Sequence, residues 1–412
     1  MQEALRSPRA VGLYDQALAS LVTFGQTLAY ARVMASEQFG LFAMTLAALL
    51  VAQMLQRTLV VLPMIVSQSE QAEPEFRGWR RVNGLILALS LGLVAAVASA
   101  ALLAGARPEG TALVLCATVA IALPPVLVYE FTRRVLYLQQ RRAHILRLSA
   151  ANFLLQGAGL VLVIVCDGGA LLAVAAMALA GALAAAVGWS GIHWGTSAQA
   201  DACALAARYR ADMAWNLAAA VPYAGFNTAM PMLLGFLSGP AAAGMFTATR
   251  LLLAPVTTLI AAVDSVDKPR AARSLLEGGG AALRRSLLAT LRSLLLLGGV
   301  YLLLAGLFAD EILRLLLGAD YPLLAGSAWA WSVVGLLMMA GQPLETGLLV
   351  LRRTRWYFWT RFSALVVAML PLTTMLERLG YAAGIVAMAA GWLVAGLAAA
   401  GLLRRALREL PR

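Results

Sequence analysis

Arg57 follows Gln53 by one helical turn in the stretch VAQMLQRTLVVLPM, inside an apolar run, and Arg250 takes a comparable place in FTATRLLLAPVTTLIAAVD. A guanidinium is a planar fork of donors that grips phosphate or carboxylate oxygens two at a time, so a pair of arginines in apolar surroundings is chemistry for an anion. Gln26 shares a helical face with Asp15, Ala19, Thr23 and Tyr30, at spacings of 4, 4, 3 and 4. Gln53, Gln26 and Asn227 are therefore candidate hydrogen-bonding partners of a bound molecule, and Arg32, at the end of the first run, is a third candidate cation. Asp15, Asp264 and Glu345 are the candidate carboxylates for a coupling ion, H+ or Na+. Arg57 also has a purely structural explanation, neutralisation by a neighbour such as Asp15. Asp15 and Asp264 fall close enough to a run's end that solvation would account for them.

The elements that carry these residues follow from composition. The chain has 412 residues, 61% hydrophobic and 13% charged, with a mean hydropathy of +0.81. Soluble domains are about half apolar and a quarter charged. About twelve apolar runs, among them 11–31, 39–66, 111–129, 359–376 and 381–403, reach the roughly 20 residues a helix needs to cross a bilayer. The expected fold is an all-α polytopic membrane protein. A charge at mid-bilayer costs about 2.5 to 3.5 kcal/mol on insertion scales, so the polar stripes should face a bundle interior or an aqueous cavity.

Charge distribution gives the orientation. Lys and Arg accumulate in alternate connections, with 26 of the 32 basic residues in segments on one side. By the positive-inside rule both termini are expected in the cytoplasm of a multi-pass membrane protein. The net charge of +12 then reflects topology and attraction to anionic membrane lipids, with no nucleic-acid partner needed. A cleaved signal peptide ending at Ala29-Tyr30-Ala31 competes for the N-terminus, but Thr23, Gln26 and Thr27 interrupt its apolar core.

Several chemistries are excluded. Cys116, Cys166 and Cys203 are scattered, and His144 and His193 are the only histidines, so neither a metal cluster nor a catalytic triad is expected. Glu277-Gly278-Gly279-Gly280 lacks the Lys-Ser/Thr of a phosphate-binding loop, which argues against an ATPase. The longest connections, 190–211 and 265–286, leave no domain for an enzyme, and no cofactor is expected.

The stretch 190–211 divides the chain nearly in half, which predicts a bundle of six helices over 1–189, a cytoplasmic linker over 190–211 and a second bundle over 212–412. An internal echo agrees: Phe39-Gly40-Leu41-Phe42 and Ala243-Gly244-Met245-Phe246 stand 204 residues apart. Two pseudo-symmetric halves place a transporter's substrate site at their interface. Pro124, Pro125, Pro222, Pro231, Pro255, Pro343 and Pro371 fall within runs and should kink their helices, as static packing features or as hinges.

DQALASLVTFGQTLAYARVMASEQFGLFAM, residues 15 to 44, resembles the opening of Wzx-type bacterial oligosaccharide flippases. MLLGFLSGPAAAGMFTATRLLLAPVTTLIAAVDSVDKPRAAR, residues 232 to 273, is similar to that family's second-half counterpart. Elsewhere only the hydropathy is shared. The family shares a superfamily, MOP, with multidrug and toxin extruders (MATE) and lipid II flippases. The resemblance implies a V-shaped pair of six-helix bundles moving an undecaprenyl-diphosphate-linked oligosaccharide outward by alternating access. It also implies a cationic lumen, with Arg57, Arg250 and Arg32 at the matching positions. The expected function is export of a lipid-linked saccharide for exopolysaccharide or O-antigen synthesis, beside a polymerase or other glycan assembly proteins. A MATE-type multidrug cation antiporter is the alternative on the same fold. A glycan polymerase or ligase should need a large outer loop, and the stretch 309–322 is short and apolar.

Overall fold

The computed structural model describes residues 8–70, 76–105, 107, 110–194, 202–318 and 326–409. Arg6, Arg412, residues 195–201 of the expected linker and residues 319–322 of the 309–322 stretch lie outside the described residues. The regular structure described is helical throughout, the form in which a chain inside hydrocarbon satisfies its own backbone.

The first helices are α1 (Pro8–Val33), α2 (Ser36–Gln56), α3 (Leu62–Glu70), α4 (Phe76–Leu103), α5 (Thr111–Leu138), α6 (Arg142–Val165) and α7 (Ala170–Trp189). Then come α8 (Ala202–Arg208), α9 (Arg210–Tyr223), α10 (Met230–Ser238), α11 (Pro240–Arg250) and α12 (Ala254–Leu307). The last are α13 (Ala309–Leu317), α14 (Ser327–Val350), α15 (Thr354–Leu379) and α16 (Ala382–Arg408). Among the described residues, nine helices are long and apolar enough to cross a membrane, and Met213–Thr228 with Met230–Ser238, bent by 52°, makes a tenth. One of the nine, Pro240–Leu307, holds 68 residues and contains a break. The polar α1 is outside this count, although its 26 residues reach roughly 39 Å at 1.5 Å per residue.

Helix ends repeat along the chain. The helices α6 and α15 begin 212 residues apart, at Arg142 and Thr354, and so do α7 and α16, at Ala170 and Ala382. The turns that precede α6 and α15 match in detail. Gln140 (φ 53°) and Arg352 (φ 55°) both take the left-handed conformation. The next amide closes the turn in each, Arg141 N to Leu136 O at 3.0 Å and Arg353 N to Leu348 O at 2.9 Å. Earlier in the chain the echo of motifs has an offset of 204, and the step to 212 coincides with α13, nine residues long.

Three connections differ from expectation. The predicted loop 265–286 is helical on both sides of a break at Gly278 and Gly279, where Gly279 adopts φ 61°, ψ −157°, a conformation open to glycine. The run predicted to end at 129 continues as α5 to Leu138, so Arg133 and Arg134, expected in a loop, are on a helix. Arg361, counted with the basic residues of a connection although the predicted run 359–376 contains it, is two turns inside α15. In the first two places hydropathy stops at the first charges, whereas the helix continues through them.

The chain packs as two compact units, Met1–Ala220 with Pro231–Gly244, and Val221–Met230 with Met245–Arg412. Within the first unit the two echoing motifs meet. A Cβ on Gly40 would lie 1.7 Å from the Pro240 carbonyl oxygen, and one on Gly244 would lie 3.0 Å from Ser36 O and 3.1 Å from Gly40 N. Small residues thus let backbones touch, the usual currency of helix association in lipid. Gly40→Ala should lower the stability of the detergent-purified protein by roughly 1 to 3 kcal/mol. Gly25→Ala, with nothing within 4 Å of the added carbon, should leave it unchanged or slightly higher. Equal thermal unfolding curves for both variants would show that the close approach contributes nothing to stability.

Candidate substrate cavity and charge clusters

In the first unit α1, α5 and α6 converge on Asp15, whose side chain is 1% exposed. Arg133 Nε donates to Asp15 Oδ2 at 2.8 Å and its Nη2 binds the same oxygen. Tyr137 Oη donates to Oδ2 at 2.6 Å, and Ser149 Oγ donates to Oδ1. Arg133 Nη1 also reaches Glu130 at 3.2 Å, and Arg134 Nε reaches the other Glu130 oxygen at 2.6 Å. Two acids and two arginines form a neutral network, three of them within about one turn of α5. The expectation that Asp15 is solvated, or neutralises Arg57, is corrected: it is buried and its partner is Arg133.

This network closes one end of a cavity of about 320 Å³ between α1, α2, α5, α6 and α7. Gln26, Gln53, Thr23, Asn152 and Gln156 give it hydrogen-bonding groups, and Leu46, Leu49, Leu50 and Phe42 give it an apolar wall. Gln26 Nε2 donates to Gln156 Oε1 at 2.6 Å. On α2 the lining residues Leu46, Leu49, Leu50 and Gln53 continue, one turn on, to Arg57, which is exposed.

Arg57 opens a π turn, Arg57–Val61. Its cause is Pro63, which has no N–H and whose ring crowds the carbonyl four residues earlier, so the helix widens. The preceding Gln56 turns inward, donating to Asn83 Oδ1 at 2.7 Å and to Leu127 O at 2.6 Å. This ties α2 to α4 and α5.

The second unit repeats the logic around Asn227, in a π turn at Ala224–Thr228. Pro231 cannot donate to the carbonyl four residues before it, which is that of Asn227. Arg250 Nη1 takes the place of the missing donor, at 3.0 Å from Asn227 O. Asn227 itself is buried, and its Oδ1 has no partner among the described residues. Elsewhere in the unit Arg361 Nη2 pairs with Glu345 Oε2 at 2.8 Å, and the two side chains are 13% and 14% exposed. The Arg361 guanidinium carbon lies 4.3 Å from the ring centroids of both Tyr223 and Tyr357, so two aromatic faces hold the cation. Tyr223, Phe226 and Trp392 pack edge to face at 5.6 to 6.0 Å. Asp264 binds Lys268, which is 46% exposed, and accepts from Gln342 Nε2.

Gln26 and Gln53 are thus joined by one cavity in the first unit, and Arg250 and Asn227 by one hydrogen bond in the second. Arg32 is exposed in the last turn of α1. Arg57 and Arg250 make no ion pair among the described residues, whereas Asp15, Glu130 and Glu345 each hold an arginine. Arg133 and Arg361 are the charges that the sequence pattern missed. One signal was available: Arg133 and Glu345 stand 212 residues apart, as do Ser149 and Arg361, the same offset as the helix starts. The repeat therefore puts a charge at one corresponding site in each half, with opposite signs and opposite partners.

Losing one member of a buried pair strands the other, at about 3 to 5 kcal/mol. Asp15→Leu and Arg361→Leu should each lower thermal stability strongly, and Glu345→Leu added to Arg361→Leu should restore much of the loss. A double variant no more stable than the single would show that the pair does not act as a unit.

Neither the known protein families nor the curated proteins give a match to the chain. Solved structures do match. The lipid II flippase MurJ, in an inward closed conformation, aligns with a TM-score of 0.65 at 13% identity, covering 97% of this chain and 87% of that one. An inward-facing multidrug resistance MATE family transporter of the MOP superfamily aligns at 0.63 and 13% identity, covering 94% of each chain. A MOP superfamily transporter from Pyrococcus furiosus, whose binding pocket has a reverse polarity suggesting a different function, aligns at 0.57 and 14% identity, covering 99% of this chain and 98% of its own. At these identities the likeness is one of fold. The chain shares their all-α polytopic membrane fold.

Proposed function

We propose that this protein flips an undecaprenyl-diphosphate-linked oligosaccharide across the bacterial inner membrane by alternating access, for exopolysaccharide or O-antigen export. The observation that carries the reading is the charge balance of the helices. Asp15, Glu130 and Glu345 are committed to arginines, while Arg57 and Arg250, both within apolar runs, have no carboxylate partner among the described residues. A diphosphate offers such guanidinia bidentate oxygens. Gln53 and Gln26 line one cavity and donate to diphosphate or sugar hydroxyls, Asn227 presents its open Oδ1 to a hydroxyl, and Arg32 attracts the anion at the end of α1. Moving a charged headgroup through lipid demands this kind of compensation, while the polyprenyl tail stays in hydrocarbon.

A coupling proton or sodium ion, where transport uses one, would act at Asp264, because its partner Lys268 is far more exposed than the arginines that hold Asp15 and Glu345. Asp15 and Glu345 hold their helices together through those buried arginines. The protein lies in the inner membrane with both termini cytoplasmic and delivers its cargo to a polymerase or other glycan assembly proteins. Residues 1–189 and 212–412 are its two moving halves, joined by 190–211.

The rival is a MATE-type cation antiporter. An organic cation is gripped by an acid within an aromatic cage. Glu345, Tyr223 and Tyr357 would form one, but Arg361 already fills it. In cells that make the polymer, Arg57→Ala and Arg250→Ala should abolish export while the protein still inserts, and Glu345→Gln should leave cationic-dye efflux unchanged. Wild-type export by the double arginine variant would overturn the proposal, and dye efflux that depends on Glu345 would favour the antiporter.

A further inference from the structure

Away from the polar cavity, the second unit holds a basic concavity that the transport reading does not use. Its volume is about 570 Å³, and its lining is Gly280, Ala281, Arg284, Arg404, Leu407 and Arg408. Arg284 comes from the first turn and a half of α12 after its glycine break, and Arg404 and Arg408 lie one turn apart near the end of α16. The helices that carry them are firmly packed. Leu283, Leu287, Leu348 and Leu403 are buried in one cluster, and a Cβ on Gly347 would meet Leu287 and Leu403 at 2.8 Å.

Three guanidinia on one concavity repel each other, and such groups ordinarily disperse or recruit an acid. Among the described residues the lining has no carboxylate. Glu409, the acid just after α16, is taken by Arg353 at 2.8 Å and Arg405 at 3.2 Å. Those two arginines also stack on Trp356, with ring distances of 4.9 and 5.6 Å. Arg405 is thereby turned to one side of α16, and Arg404 and Arg408 are left facing the concavity. Gly280 and Ala281 keep the opposite wall free of bulk, and Leu407 adds an apolar patch beside the charges. Arginines suit phosphate through their paired donors, and basic pockets between membrane helices are suited to lipid headgroups.

We infer that Arg284, Arg404 and Arg408 form a phosphate-binding site, distinct from the polar cavity, which takes the phosphodiester of an anionic lipid headgroup or a free phosphate compound. The site does not depend on which substrate is transported. It is tested on delipidated full-length protein by native mass spectrometry with phosphatidylglycerol, phosphatidylcholine and inorganic pyrophosphate. Wild type should retain phosphatidylglycerol over phosphatidylcholine, and affinity should fall roughly fivefold for each arginine changed to glutamine. Arg405→Gln, outside the lining, should bind as wild type. Pyrophosphate binding that the triple variant R284Q/R404Q/R408Q loses, with no preference among lipids, would assign the site to a soluble phosphate. Triple-variant binding equal to wild type for both probes, with thermal stability unchanged, would overturn the site. So would a wild type that binds neither probe.

Discussion

The contact between Asp15 and Arg133 is the one on which the first unit depends, because neither charge could remain among apolar helices without the other. Asp15 is buried on α1, and Arg133, Tyr137 and Ser149 reach it from α5 and α6. α1 is thereby fixed in register against α5 and α6, more than a hundred positions on, by one carboxylate. The second unit meets the same constraint with the signs exchanged, since Glu345 stands at the repeat position of Arg133 and is held by Arg361. Compensation decides which charges remain for a substrate. Once Asp15, Glu130 and Glu345 have taken their arginines, Arg57 and Arg250 are without a carboxylate among the described residues, which is the ground for proposing an anionic cargo.

Proline imposes a second constraint. Pro63 and Pro231 each lie just beyond a π turn, at Arg57–Val61 and Ala224–Thr228. In each the missing amide loosens the helix where a functional candidate sits. At Asn227 the freed carbonyl becomes an acceptor for Arg250. The same bond satisfies the backbone and aims one nitrogen of the guanidinium. A helix wound evenly through residue 231 would need no such arginine. The glycines at the motif echo do complementary work, since Gly40 and Gly244 let backbones approach where any side chain would intrude.

Much of the fold was legible from hydropathy. About twelve apolar runs, their short connections and the alternating charges define an all-α membrane protein, and the echo at 204 residues marks its halves. Helix ends were less legible, because a hydropathy window closes at a charge while the helix goes on. Hydropathy alone puts Arg133 and Arg134 in a connection for that reason, and it reads the helical stretch 265–286 as a loop. The candidate site was legible in part. Stripes on one helix, such as Gln53 with Arg57, follow from a 3.6-residue period. Pairings between helices, such as Asp15 with Arg133 across 118 positions, require the tertiary arrangement. Only the repeat offset of 212 connects Arg133 with Glu345 in one dimension, and it emerges once α13 is recognised as an insertion.

The most direct test of an anionic, lipid-linked cargo is transport by the purified protein in liposomes, comparing a fluorescently labelled undecaprenyl-diphosphate-linked oligosaccharide with a cationic dye. Wild type should move the lipid-linked saccharide between leaflets, the Arg57→Ala/Arg250→Ala variant should not, and neither should transport the dye. Dye transport without movement of the lipid-linked saccharide would contradict the proposed function.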